Sequence, residues 1–384
     1  MREFNNNWQV KSLGEVAEVI AGQSPPSSTY NNIQDGLPFF QGKVDFGIMF
    51  PKVRVWCNEP VKIAKPNDIL ISVRAPVGPT NICNVESCIG RGLSAIRAGK
   101  NSYYKYIFYF LRYNEDRIST QGRGSTFSAI TQGELRKIKV PLPPLPIQKQ
   151  IAEILEKADQ AKQKRKEANK LTDEFLQSVF IEMFGDPVKN PKGWETKLIS
   201  EIAKVGTGGT PSREKPEYFT GDIPWVKTTE VTNDRIFDTE EKITKKALEE
   251  SNCTIFPKGT IVIALYGQGL TRGRTSILEI EACTNQACGT VLPSENIDSI
   301  FLWKQLLHFY NHLRSISRGG NQPNLNLSFI KNLRIILPPP QIQQQFAEIV
   351  KKTEGLKEKQ KQSEQELENL FQSLMQKAFK GELV

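Results

Sequence analysis

From Ile147 onward, apolar or small residues recur at Ile147, Ile151, Ile154, Ala158, Ala161, Ala168, Phe175 and Val179. From Ile342 the same places hold Ile342, Phe346, Ile349, Thr353, Leu356, Ser363, Leu370 and Leu374. This 4,3 alternation, with Lys, Glu and Gln between, is the spacing of a coiled-coil seam and predicts two long helices. Arg165 and its counterpart Gln360 leave each seam polar in its middle. A helix of about 38 residues measures ~57 Å at 1.5 Å per residue. Alone, a helix this polar is marginal in water. A solvated spacer or a homodimer zipper would show the same pattern. An intramolecular antiparallel pair is favoured, because both helices share one chain and one register, and it would place the preceding modules at opposite ends.

Ahead of each helix the period changes. Short β-rich runs such as Asp68-Ile-Leu-Ile-Ser-Val73 and Thr260-Ile-Val-Ile-Ala-Leu265 follow turns at Pro66 and Pro257. A helix is predicted near 102–113 and again near 298–313. Each module is therefore expected to be α+β, a mostly antiparallel sheet with a few helices. The predicted layout is a first module over 1–146, a helix over 147–184, a second module over 185–340 and a helix over 341–384. The modules are expected to be similar, joined by an intramolecular antiparallel coiled coil with pseudo-two-fold symmetry.

The similarity is written in the chain. Leu142-Pro-Pro-Leu-Pro-Ile-Gln-Lys-Gln-Ile-Ala-Glu-Ile154 recurs as Leu337-Pro-Pro-Pro-Gln-Ile-Gln-Gln-Gln-Phe-Ala-Glu-Ile349, an offset of 195. Near the module starts, Trp8, Gly22, Pro25 and Pro38 match Trp194, Gly208, Pro211 and Pro224 at an offset of 186. The frame repeats while the middle diverges, so one fold is expected to present two different surfaces. Between the copies, Phe184-Gly-Asp-Pro-Val-Lys-Asn-Pro-Lys-Gly-Trp194 is suited to stop the first helix and turn the chain.

Charge sharpens this picture. Residues 1–146 carry 18 basic and 11 acidic side chains (+7), and 185–340 carry 19 and 17 (+2). Both helical segments balance at 7 and 7, so the excess lies on the modules, where a polyanion would bind. Six cysteines in 384 residues are too few for a disulfide scaffold. The absence of a long apolar run and of a signal-like start leads us to expect a cytoplasmic protein with no membrane partner.

Motifs for chemistry are missing. No phosphate-binding loop occurs, and Gly36-Leu-Pro-Phe-Phe-Gln-Gly-Lys43 has the wrong spacing. Gly206-Thr-Gly-Gly-Thr210 runs into Pro211 instead of a helix. The two histidines, His308 and His312, are spaced i,i+4, and Cys83/Cys88 and Cys283/Cys288 are spaced C-x4-C. These spacings are looser than a zinc finger's, and buried thiols in strands with no metal are expected. No catalytic residue is assigned.

The loops look like nucleic-acid contacts. Glycine allows close approach to phosphate, while Arg, Lys, Asn, Gln and hydroxyls address phosphates and base edges. Candidates in the first module are Gln41, Lys43, Arg74, Arg91, Arg123 and Ser125. In the second they are Lys227, Thr228, Tyr266, Gln268, Arg272, Arg274, Arg318, Asn321 and Gln322. Each cluster taken singly also fits a plain polar turn. Gly22 and Gly208 are read as turn residues.

The two Leu-Pro-x-Pro/Leu-x-x-Gln-x-x-Ile/Phe-Ala-Glu-Ile segments resemble those of type I restriction–modification specificity subunits. So do Met183-Phe-Gly-Asp-Pro-x-x-Asn-Pro-Lys-Gly-Trp194, Ile223-Pro-Trp-Val-Lys-Thr228 and Leu374-Met-Gln-Lys-Ala-Phe-Lys-Gly-Glu-Leu-Val384. The first module departs, with Phe39-Phe40-Gln41 where the second has Trp225-Val226-Lys227. The resemblance implies a non-catalytic subunit whose modules each read one half of an asymmetric, gapped site in double-stranded DNA. It implies that the paired helices dock two methyltransferase subunits, and through them the restriction and motor subunits. S-adenosylmethionine, ATP and Mg would then reside on those partners, with none on this chain. Two other classes stay open at this point: an autonomous enzyme, and a structural adaptor whose modules read no sequence.

Overall fold

The computed structural model describes residues 8–121, 129–267, 270–316 and 324–384. These fall into two compact units, Met1–Glu167 with Gln362–Val384, and Ala168–Lys361. The principal strands of the first are β1 (Gln9–Ser12), β2 (Ala17–Ala21), β3 (Leu37–Phe40), β4 (Ile69–Ser72), β5 (Thr80–Ile82), β6 (Ser87–Ile89), β7 (Leu93–Ala98) and β8 (Lys139–Leu142). Those of the second are β9 (Thr196–Leu198), β10 (Val205–Thr207), β11 (Ile223–Val226), β12 (Ile261–Ala264), β13 (Thr275–Leu278), β14 (Cys283–Thr284), β15 (Cys288–Val291) and β16 (Arg334–Ile336). The helices used below are α1 (Tyr104–Tyr113), α2 (Leu145–Phe184), α3 (Ser299–His308) and α4 (Pro340–Lys380).

Each unit is built on a strand buried on both faces. In the first, β4 lies between β7 and β5 in an antiparallel sheet. Side chains alternate across a strand, so Ile69 and Ile71 join the core under α1 while Leu70 points to a smaller core with Phe40, Leu93 and Ala95. In the second unit β12 does the same. Ile261 and Ile263 face α3, and Val262 and Ala264 face Val226, Phe256 and Cys288. The predicted helices and β-runs are found close to their expected places. Each unit also has a parallel pair between otherwise distant segments, β3 with β6 and β11 with β14, and in the second unit Arg235–Ile236 runs parallel to β13 as well. Strand β1 pairs with β8, and β9 with β16, closing each unit just before its long helix.

Within each unit a part of α2 packs antiparallel on a part of α4. In the first, Ile151, Ala152 and Leu155 share a core with Phe371, Met375 and Phe379. Lys162 lies 4.2 Å from the centre of the Phe371 ring and pairs with Glu368 at 2.7 Å. In the second, Leu176, Phe180 and Phe184 meet Phe346 and Val350. There Gln360 donates to Thr172 at 3.1 Å, and Lys357 pairs with Asp173.

The seam differs in phase from the one predicted. Ile151 and Phe346 are buried as expected. Ile147, Ile154, Val179, Ile342, Ile349 and Leu374 are half-buried at its margin. Phe175 and Leu370 are 51% and 49% exposed, and the buried residues are the next ones, Leu176 and Phe371. Counting apolar residues alone missed the phase because part of the stripe is polar. Gln148, Asp159, Lys162, Thr172, Gln343 and Gln360 are all buried on these two helices.

Two of those polar residues explain why the helix-opening segment is repeated. Gln148 donates to Pro143 O (2.8 Å) and Asn101 O (3.0 Å) and accepts from Tyr103 N (2.8 Å). Gln343, 195 positions later, donates to Pro338 O (2.7 Å) and accepts from Asp298 N (2.9 Å). Each amide clamps the start of a long helix to the segment that opens α1 or α3, satisfying backbone groups at helix termini. The other repeated stretch ends α2. Gly185 sits at φ +78°, the Trp194 indole donates to Phe184 O (3.0 Å), and Lys192 donates to Met183 O (3.1 Å). With Gly185 N donating to Ile181 O at 2.8 Å, a cation and two N–H donors therefore meet the last carbonyls of the helix.

Candidate nucleic-acid interface

The interface is defined by two matching backbone hydrogen bonds. In the first unit the parallel pairing Phe39↔Cys88 and Phe40↔Ile89 continues as Gly90 N to Phe40 O at 2.8 Å. Gln41 and Arg91 therefore leave adjacent strand ends together. Val73 N donates to Gly92 O at 3.0 Å, so Arg74 and Arg91 flank one rung. In the second unit Trp225↔Cys283 and Val226↔Thr284 continue as Asn285 N to Val226 O at 3.0 Å. There Leu265 N donates to Ala287 O at 2.9 Å. By these rungs Gln41 corresponds to Lys227, Arg74 to Tyr266 and Arg91 to Gln286.

A glycine turn completes each frame. Gly22 N donates to Leu93 O at 3.0 Å, and Gln23 N to Ile89 O at 3.0 Å. A Cβ on Gly22 would collide with Gly90 O and Leu93 O, and one on Gly208 would collide with Thr284 O. Both positions need glycine because another backbone lies against them. Just beyond, Ser24 Oγ accepts from Arg91 N at 3.2 Å. At the matching place Thr210 Oγ1 donates to Gln286 Oε1, and Thr207 Oγ1 donates to Gln286 O at 3.1 Å.

In the first unit these strand ends surround an open cleft of about 560 Å³, lined by Ser24, Gln41, Lys43, Ser72, Arg74 and Arg91 among others. The four candidates Gln41, Lys43, Arg74 and Arg91 are thus brought together, all exposed. The nearby acid, Asp45, is buried. It accepts from Gln41 N (2.6 Å) and Gly42 N (3.3 Å) and pairs with Arg54 (2.6 Å). A second acid, Glu115, is half-buried within electrostatic reach of Lys43, so the positive field toward solvent rests chiefly on Arg74 and Arg91, a setting in which phosphate is bound.

The second unit handles its cation differently. Lys227 Nζ donates to Glu240 at 2.8 Å and to Glu241 at 3.0 Å. Glu240 first, and then Glu241, hold the ammonium above its ordinary pKa, while Arg213 and then Lys227 hold Glu241 below the usual carboxylate range. Its charge is locally neutralised. Thr228 opens a half-buried single turn, Thr228–Glu230. Tyr266 is 40% exposed. Arg272 and Arg274 are half-buried in a loop held by Gly273 N to Ala264 O (2.9 Å) and Ala264 N to Arg274 O (3.0 Å). Tyr310 donates to Leu270 O at 2.7 Å, further anchoring it. Arg123, Ser125, Gln268, Arg318, Asn321 and Gln322 lie outside the described residues.

Sequence reasoning missed Gln286, Ser24 and Thr210. The offsets of 195 and 186 already set Gln286 opposite Arg91 and Thr210 opposite Ser24. The cysteines likewise pair differently from their C-x4-C spacing, since Cys88 and Cys283 hold the matching strand positions. All six are buried and free of disulfides, and burial pushes the Cys283 thiol up to about 12. His308 stacks on Phe180 at 4.4 Å, and burial holds its pKa below the ordinary value. Among the described residues no three or more His, Cys, Asp or Glu side chains converge to hold a metal. No described helix is long and apolar enough to cross a membrane.

Comparison with known proteins agrees with this geometry. The MjaX specificity subunit of Methanocaldococcus jannaschii, a type I restriction enzyme relative by name, is 45% identical over 43% of this chain, a match spanning 40% of that protein's length. The MjaIX specificity subunit of the same organism is 24% identical over 90% of this chain and 86% of its own. The EcoR124I/EcoR124II specificity subunit of Escherichia coli is 26% identical over 66% of this chain and 63% of its own. In fold, the chain is similar to the crystal structure of a type I restriction–modification system S subunit from M. genitalium, with a TM-score of 0.64, 16% identity and 98% of each chain covered. The family described as "Type I restriction modification DNA specificity domain" matches residues 5–172 and 191–369. With one such match on each frame, the chain belongs to the type I restriction–modification DNA specificity family.

Proposed function

We propose that this chain gives a type I restriction–modification complex its DNA sequence, each unit reading one half of an asymmetric, gapped site. The observation that carries this reading is the pair of equivalent strand ends. They share two backbone rungs and a glycine turn, yet present Gln41, Arg74 and Arg91 in one unit and Lys227, Tyr266 and Gln286 in the other. Two identical readers would suit a palindrome, whereas two unlike readers suit an asymmetric target. The remaining loop candidates, Lys43, Thr228, Arg272 and Arg274, supply phosphate and base contacts around them.

The long helices act as ruler and dock. They carry two methyltransferase subunits, which methylate adenine with S-adenosylmethionine, and through them the ATP- and Mg-dependent restriction and motor subunits. The chain itself supplies binding and positioning, without catalysis. The exposed Leu171 and Phe175 on α2 offer apolar contact area for a partner. Half-sites one DNA turn apart lie roughly 34–36 Å from each other, a span within the reach of helices ~60 Å long.

The test is to express the chain with its methyltransferase partner and map methylated adenines across a genome. One gapped, asymmetric motif that disappears when this chain is omitted is expected. Methylation without the chain, or binding that follows salt alone with no motif, would reject the reading.

A further inference from the structure

We infer that the two half-sites differ in the base class read at the strand-end position: guanine through Arg91 and Arg74 in the first unit, adenine through Gln286 in the second. This rests on the proposed DNA-reading role and adds to it which bases the frame selects.

The argument begins with donors and acceptors. Guanine presents two acceptors, O6 and N7, in the major groove, and adenine presents one acceptor, N7, and one donor, N6–H₂. A guanidinium carries donors only, in a planar fork, so it matches guanine and is unmatched at the adenine amino group. A carboxamide carries one acceptor and one donor group, so it matches adenine.

Geometry decides which side chain is available. Arg74 and Arg91 flank the Val73–Gly92 rung and face the same cleft. Ser24 fixes the backbone of Arg91 at 3.2 Å and leaves the guanidinium to project. Among the described residues no hydrogen bond or ion pair engages either guanidinium. In the second unit the equivalent residue is held differently. Thr210 bonds the Gln286 side-chain oxygen and Thr207 bonds its carbonyl, which orients the amide of an exposed residue whose NH₂ engages no hydrogen bond among the described residues. Two cations at that strand end, Lys227 and Arg213, are engaged by carboxylates, Lys227 by Glu240 and Glu241 and Arg213 by Glu241. The same frame thus offers a donor fork on one side and an oriented amide on the other.

The experiment uses the chain bound to its methyltransferase partner and a duplex carrying the mapped site. Exchange of residues 1–146 assigns which half belongs to the first unit. Replacing guanines of that half one at a time by 7-deazaguanine, which lacks N7 but pairs normally, is expected to weaken binding roughly 5- to 100-fold at one or two positions. Arg91→Met and Arg74→Met are expected to bind more weakly and to lose that sensitivity, while remaining sensitive to changes in the other half. In the second half, 7-deazaadenine is expected to weaken binding of the wild-type chain but not of Gln286→Ala. Tight binding to the mapped site with no response to 7-deazaguanine in the first half, or a response that survives both arginine variants, overturns the inference and leaves the proposed function standing. Absence of any gapped site overturns both.

Discussion

The ends of β3 and β11 occupy the same place in two frames and meet opposite electrostatic surroundings. After β3, Gln41 and Lys43 sit beside Arg74 and Arg91 around an exposed cleft, and the local acid Asp45 is buried and paired with Arg54. After β11, Lys227 is locked to Glu240 and Glu241, and the neighbouring positions hold Tyr266 and Gln286. The backbone hydrogen bonds are the same, so the frame does not set the chemistry. What differs is which side chains the frame holds out and whether a carboxylate claims them first. Duplication with divergence at the strand ends gives one fold two unlike surfaces, the two readers of the proposed function.

The largest expected effect comes from breaking the pairing of unlike readers. Exchanging residues 1–146 for another such module is expected to reduce binding to the native site by ~10³-fold or more. The methylation map would then show one half of the motif changed and the other retained. A change in both halves would mean the units do not read separately. Next in size is the helix spacing. Inserting four residues at matching points of α2 and α4 is expected to lengthen the gap in the mapped motif with both half-sites kept, and an unaltered gap would remove the ruler from the proposal.

The equivalence of the frames can be tested through the buried glutamines. Gln148→Leu and Gln343→Leu each strip hydrogen bonds from buried backbone groups, a cost of about 2–3 kcal/mol. Hydrogen exchange should quicken locally, in Tyr104–Tyr113 for the first variant and in Ser299–His308 for the second. A large effect in one unit and none in the other would show that the two clamps are not equivalent. The smallest effect separates the two lysines. Lys43→Met should lower the slope of log K against log salt by about 0.9, the share of one phosphate contact. Lys227→Met should leave the slope nearly unchanged, because Glu240 and Glu241 already neutralise that cation. Equal slopes for the two variants would contradict the contrast drawn between the strand ends.

Much of this organisation is legible in the residues alone. Apolar period, proline runs and the two offsets place the units, the long helices and the β4 and β12 strands, because these depend on local spacing and on which residues must leave water. The grouping of Gln41, Lys43, Arg74 and Arg91 was also reachable, since each follows a strand or turn signal. The helix seam was not. Its inner face includes Lys162, Thr172 and Gln360, which are polar by type and buried, with Glu368 partnering Lys162 and Thr172 partnering Gln360 from far along the chain.

The sequence by itself thus determined that one frame occurs twice, with unlike middles and a shared helix-opening segment. Only tertiary structure decided what those middles present. Parallel pairing of β3 with β6 and of β11 with β14 joins segments 49 and 58 residues apart and brings Arg91 beside Gln41, and Gln286 beside Lys227. Folding also decided that Lys227 meets two carboxylates while Arg74 and Arg91 meet none among the described residues. Local spacing determines which face of an element turns inward; the charges and hydrogen-bond partners that an exposed side chain finds there are set by segments the chain reaches only by folding.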